Sequence, residues 1–213
     1  MEPPLYYKLL KPNKIESGKV YSAIFLMHGM GSNEEDLVPL VQDLADSAYI
    51  FSMRGPIEQP PGYAFFTIEG FGKPHRTEFD QAIESVVMFI EEMCEKHPID
   101  SSKIFLMGFS QGAILSMSIG LKLGHKIKGI AALSGYIPDF MKHEYSGQNL
   151  KGLKLFCSHG EIDPVLPFDW AEEAKNLYEQ LGAQVEFSSY PVGHQVSQQN
   201  FHDFRSWLEV AME

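Results

Sequence analysis

Cysteine and tryptophan are scarce here, two of each in 213 residues. Two thiols cannot form a disulfide framework, and neither sits where a reactive thiolate would form. Cys94 falls in the helical pattern SVVMFIEEMCEKH and Cys157 at the end of the strand-like LKLFCSHG, with no glycine turn or positive cluster beside either. Both read as buried, reduced thiols. Basic residues are also few, 17 against 28 acidic, and a formal net charge of −11 argues against affinity for nucleic acid or anionic membrane surfaces. There is no run of 18 apolar residues, and the opening MEPPLYYKLLKPNK has no basic segment followed by an apolar stretch. The chain therefore reads as soluble, cytoplasmic and not inserted in a membrane. Nucleotide and metal signatures are missing as well. HGMGSN supplies G-x-G but has Glu34 where a third glycine would fall, and G-x-x-x-x-G-K-[ST], H-E-x-x-H and paired C-x-x-C do not occur. No metal and no organic cofactor is expected.

What is present is the material of a packed core: 44% hydrophobic and 12% aromatic residues, in a length that suits one domain over residues 1–213. Short apolar runs alternate with longer helical patterns, the signature of an α/β architecture. Strands are predicted at Tyr6–Leu10, Val20–Met27, Tyr49–Met53, Lys103–Met107, Gly129–Leu133, Leu153–Cys157 and Gln184–Ser189. Helices are predicted at Glu34–Ser47, Glu78–Glu95, Gln111–Leu123, Phe168–Leu181 and Gln198–Ala211. The stretch from Arg54 to Thr77, rich in glycine, proline and aromatics, has no clear element; a loop that long is often a functional flap, and otherwise surface irregularity.

GFSQG, residues 108–112, stands between the strand pattern KIFLM and the helix pattern AILSMSIGLKL. G-x-S-x-G in that context is a nucleophile elbow, a turn so sharp that only glycine avoids clashes on either side of the serine. The bland reading of Ser110 is a hydroxyl in a tight turn. A serine hydroxyl needs a general base, and the base needs a third group to hold it. On an elbow of this kind the order is serine, then acid, then histidine, each on a loop after a strand. Of eight histidines, His194 lies after QVEFSS and before the last helix, where that order requires it. His75, His97, His125, His143 and His202 fit less well, and His28 and His159 come too early, though both could brace the site. The acid should follow LKLFCS, where the sequence reads HGEIDPVLP. Asp163 precedes a proline that favours extended backbone, and Glu161 is the runner-up, closer to the strand end. Backbone N–H groups for an oxyanion are expected from Gln111 and from Met30 in HGMGSNEED, a loop that also reads as a glycine turn into a helix capped by Ser32 or Asn33.

HGMGSNEEDLVPL, GFSQGA, HGEIDP and GHQVS, in this order, resemble the phospholipase/carboxylesterase family of α/β-hydrolases, which includes acyl-protein thioesterases. The resemblance covers nearly the whole chain. It implies an α/β-hydrolase fold: a mostly parallel sheet of about seven strands, helices on both faces and no separate cap domain. It implies Ser110, Asp163 and His194 as the triad and Met30 and Gln111 as the oxyanion hole. The implied reaction is hydrolysis of short- to medium-chain carboxylic esters or thioesters, lysophospholipids included, with no cofactor. The region 54–77 matches no part of the family pattern. Candidates for the substrate pocket are Tyr63, Phe65 and Phe66 in that region, Tyr136 and Ile137 after GIAALSG, and Val165 and Leu166 after the acid. The expected partner is a small-molecule ester, bound by a monomer or homodimer. Other readings are a non-catalytic binding module on the same fold and a hydrolase acting on lactones or peptides. A dienelactone hydrolase would be expected to carry cysteine at position 110.

Overall fold

A computed structural model describes residues 5–213; the first four residues of the opening MEPPLYYKLLKPNK lie outside the described residues. Seven strands form the central sheet: β1 (Tyr7–Leu10), β2 (Tyr21–Met27), β3 (Ala48–Met53), β4 (Ile99–Phe109), β5 (Gly129–Leu133), β6 (Lys154–Gly160) and β7 (Gln184–Tyr190). Their spatial order is β1-β3-β2-β4-β5-β6-β7, with β1 antiparallel to β3 and every other pair parallel. The inner strands β2, β3 and β5 are buried at every position, which is why they read as unbroken apolar runs rather than as an alternation.

Among the described residues five α-helices accompany the sheet: α1 (Arg76–Lys96), α2 (Gln111–Leu123), α3 (Asp139–Glu144), α4 (Phe168–Gln180) and α5 (Gln198–Met212). One core lies between the sheet and α1, α2 and α4, where Phe79, Ile83, Val86, Ile90 and Met93 of α1 meet Phe25 and Phe51 of the sheet. A second core, around Ile24, Phe105, Met107 and Phe156, is closed by Phe204 and Leu208 of α5. Helices therefore cover both faces, and no cap domain stands between the elements among the described residues. Ser197 accepts the Asn200 N–H at 3.1 Å and caps α5.

The helix expected over Glu34–Ser47 does not form. That segment is a run of turns with two 3₁₀ pieces, Val38–Leu40 and Gln42–Asp46. Pro39 lacks an N–H and crowds the carbonyl four residues back, so the apolar spacing of Leu37, Val38, Val41 and Leu44 is met by tighter turns. Asn33 accepts the Glu35 N–H at 2.9 Å, an Asx turn in place of a helix cap. The stretch 54–77 also departs from a plain loop. It folds into two small hairpins, Ile57–Gln59 with Gly62–Ala64 and Ile68–Gly70 with Lys73–Pro74, before α1 begins. Strands of three residues or fewer carry too little periodicity to be read from sequence.

The chain crosses from β2 to β3 on one side and then to β4 on the other, so the sheet's topological switch point lies between β2 and β4. Open parallel sheets bind ligands in the crevice outside the carboxyl ends of the strands at such a point.

Candidate active site

The serine, acid and histidine proposed from sequence lie on loops at the carboxyl ends of β4, β6 and β7, and these loops converge. Ser110 directly follows β4. Its φ is 52° and ψ −115°, a conformation serine adopts rarely and at a cost on the order of 1–3 kcal/mol. Glycine on both sides is obligatory. A Cβ on Gly112 would stand 1.8 Å from the Met27 carbonyl oxygen, and one on Gly108 would stand 2.1 Å from the Gly112 carbonyl carbon. The turn thus packs α2 directly onto the end of β2 and leaves the Ser110 hydroxyl at the crevice.

His194 Nε2 lies 2.8 Å from Ser110 Oγ, and His194 Nδ1 lies 2.7 Å from Asp163 Oδ2. With the carboxylate accepting from Nδ1–H, Nε2 is the free lone pair that faces the hydroxyl. Phe109 packs against the imidazole at 5.0 Å between ring centres. The Asp163 side chain is fully buried, with Oδ1 accepting the N–H groups of Val165 at 2.8 Å and Leu166 at 3.0 Å. Burial pushes this carboxyl up, but the hydrogen bonds from His194 and from the two backbone N–H groups outweigh it, and the group is held below its ordinary value. Glu161, the alternative acid, is exposed and accepts a hydrogen bond from Ser189 instead.

The two early histidines are buried braces. His28 donates from Nδ1 to the Gly29 carbonyl at 2.7 Å and accepts the Gly55 N–H on Nε2 at 3.0 Å, which requires a neutral ring; burial pulls its pKa below the ordinary histidine value. His159 places Nε2 3.0 Å from the Leu166 carbonyl and 3.4 Å from Asp163 Oδ2, behind the acid.

Beside Ser110 opens a cavity of about 260 Å³. Four of the pocket candidates, Phe66, Tyr136, Val165 and Leu166, line it together with Met30, Gln111 and His194. Ile68, Phe71 and Ile114 line it as well and escaped the sequence reading. Ile114 is one helical turn beyond the serine, so the elbow itself could have pointed to it; Ile68 and Phe71 belong to the second hairpin, which carried no signal. Three candidates are elsewhere. Phe65 is buried with its ring 4.9 Å from His28, and Ile137 is buried in the core shared by the sheet with α1, α2 and α4. Tyr63 stacks under Arg54, whose guanidinium carbon is 4.5 Å from its ring centre and which pairs with Glu34. Phe65 and Phe66 lie in the bend between the two hairpins, which turns one ring toward His28 and the other toward the cavity, and sequence alone did not say which side faces the serine.

Larger hollows of about 400 and 440 Å³ lie near the start of β2 and beside α1. The second contains Cys94, whose thiol burial pushes up to about 11, away from a thiolate. Cys157 is fully buried and pushed up to about 12. Among the described residues no cluster of histidine, cysteine and carboxylate side chains could hold a metal, and no helix is long and apolar enough to cross a membrane.

A phospholipase/carboxylesterase family model matches residues 14–212 of the chain. The chain belongs to this family. It is accordingly an ester hydrolase with the α/β-hydrolase fold. Among relatives of the family, acyl-protein thioesterase 1 of Debaryomyces hansenii is 30% identical over 214 residues, covering 90% of this chain and 92% of that protein. The protein of the same name from Candida albicans is 30% identical over 216 residues, covering 90% and 93%. The fold is similar to that of the crystallised Bacillus cereus carboxylesterase, with a TM-score of 0.85 at 24% identity over 97% of this chain and 94% of that one.

Proposed function

We propose that the chain, acting as one domain, is a serine carboxylesterase that cleaves short- to medium-chain carboxylic esters through an acyl-enzyme on Ser110. The observation that carries this reading is the hydrogen-bonded line from Asp163 through His194 to Ser110, ending beside an apolar cavity. His194 Nε2 takes the Ser110 proton as Oγ attacks the ester carbonyl. The carbonyl electron pair moves onto oxygen, where the N–H groups of Met30 and Gln111 are proposed to bind it. Collapse expels the alcohol, which takes the proton back from His194. Water then attacks the acyl-enzyme by the same route and releases the acid. Asp163 fixes the imidazole tautomer and stabilises the imidazolium.

The cavity walls near Ser110 are aliphatic and aromatic, with no cationic side chain, which suits an uncharged acyl group. Thioesters are the second reading, favoured by the name acyl-protein thioesterase 1 of the fungal relatives. Parallel kinetics on an oxygen ester and a thioester of the same acyl group separate the two. A kcat/KM ratio above about 10 in favour of the thioester would make it the substrate class.

A further inference from the structure

We propose that the side-chain amide of Gln111 is a positioning group that fixes the two oxyanion donors relative to each other, by clamping the segment Tyr63–Phe66 between them. The inference rests on the serine-esterase reading above. Gln111 is the first residue of α2, a place where a glutamine side chain ordinarily reaches water, yet it is buried, 3% exposed. Its Oε1 accepts the Phe65 N–H at 2.7 Å, and its Nε2 donates to the Phe66 carbonyl at 2.8 Å. These partners lie 46 and 45 residues back along the chain, so the amide makes a tertiary clamp and not a local cap. Burial of an amide is tolerated because both of its ends are engaged.

The same segment grips the other donor loop. The Gly31 N–H donates to the Tyr63 carbonyl at 2.8 Å, and the Tyr63 N–H donates to the Ser32 carbonyl at 2.8 Å. Met30 is the residue immediately before this bridge. Four consecutive residues, Tyr63 to Phe66, thus hold the Met30 loop by a backbone bridge and the Gln111 turn by the amide clamp. The strained conformation of Ser110 persists only where its surroundings over-determine it, and the clamp on the next residue is one such restraint. Phe66 also forms a wall of the cavity, so the seat of the acyl chain and the oxyanion donors share one support.

A clamp of this kind acts on the transition state more than on ground-state binding. The test compares wild type, Gln111→Met, Gln111→Glu and Ser110→Ala on p-nitrophenyl butyrate. It also measures inhibition by an alkyl trifluoromethyl ketone and by the methyl ketone of the same chain length. The fluorinated ketone adds Ser110 Oγ to its carbonyl carbon, places an oxyanion in the hole and passes the hydroxyl proton to His194; the methyl ketone reports simple binding. Gln111→Met, which keeps the length but loses both hydrogen bonds, should lower kcat by about 10- to 100-fold with KM within about threefold. Trifluoromethyl ketone affinity should fall in step and methyl ketone affinity should hold. Gln111→Glu keeps the acceptor for Phe65 but loses the donor to Phe66, and should fall between the two. A Gln111→Met protein that melts lower but keeps kcat and both affinities overturns the proposal. If that variant does not fold, Gln111→Glu decides on the same readouts, and unchanged values overturn the proposal. Wild-type activity that survives Ser110→Ala would instead remove the esterase reading on which the proposal rests.

Discussion

Ser110 sits in left-handed backbone space at φ 52°, and the tight turn around it depends on the absence of side chains two residues to either side, at Gly108 and Gly112. Gly112→Ala would push a methyl into the Met27 carbonyl, a backbone atom that cannot rotate away. The expected outcome is a loss of at least about 3 kcal/mol in unfolding free energy, or failure to fold, read by urea denaturation. Asp163→Asn tests a different property. The carboxylate accepts hydrogen bonds from His194, Val165 and Leu166, whereas an amide presents one oxygen and one donor and favours the wrong imidazole tautomer. A fall in kcat on the order of 10³- to 10⁴-fold on p-nitrophenyl butyrate, with KM nearly constant, is the predicted result. At this scale most of the candidate site was legible in the sequence, because GFSQG, EIDP and VGHQ each follow a strand whose apolar run marks its end. His28 and His159 were legible only as possible braces, since their hydrogen-bond partners, Gly55 and Leu166, are defined by the fold.

The hairpins between β3 and α1 decide what surrounds the serine. Phe65 and Phe66 are adjacent and equally buried, but only Phe66 is part of the cavity wall. Phe66→Ala should therefore enlarge the cavity and shift the preferred acyl length upward, while Phe65→Ala should leave the preference unchanged. Both should lose about 3–5 kcal/mol of stability. A series of nitrophenyl esters of increasing chain length reads the first effect, and urea denaturation the second. An unchanged preference in Phe66→Ala together with a changed one in Phe65→Ala would reverse the assignment of the two faces. Elements of this size escape sequence reading because two or three residues of strand have no period to detect. The segment 34–47 misled for a related reason: its apolar spacing is helical, and a single proline decides against the helix. The long helices and the parallel strands were legible because each buries a whole face or both faces, and that burial writes its period into ten or more residues of helix or an unbroken run of strand.

Over the whole molecule, the sheet's switch point between β2 and β4 brings loops that are distant in sequence to one crevice, and no local signal marks that convergence. The buried titratable groups there also set an acid limit to stability. His28 is held below its ordinary value of about 6.5, so as pH falls the unfolded chain takes up a proton that the folded one refuses. The stability it contributes is complete above that value and declines below it, by at most about 1.4 kcal/mol per pH unit until the folded value is reached. The difference in unfolding free energy between wild type and His28→Asn should shrink between pH 7.5 and pH 5.5. A difference that grows on acidification would contradict the neutral, buried state. Asp163, held below the ordinary carboxylate range, adds a second loss at still lower pH, as the solution falls through its folded value.

The activity predictions all depend on Ser110 as the nucleophile. The most direct measurement is the hydrolysis of p-nitrophenyl butyrate by wild type and by Ser110→Ala, both shown by circular dichroism to be folded. The account predicts that the variant retains no more than about one ten-thousandth of the wild-type kcat. Equal turnover by the two proteins, or none by the wild type, would contradict it.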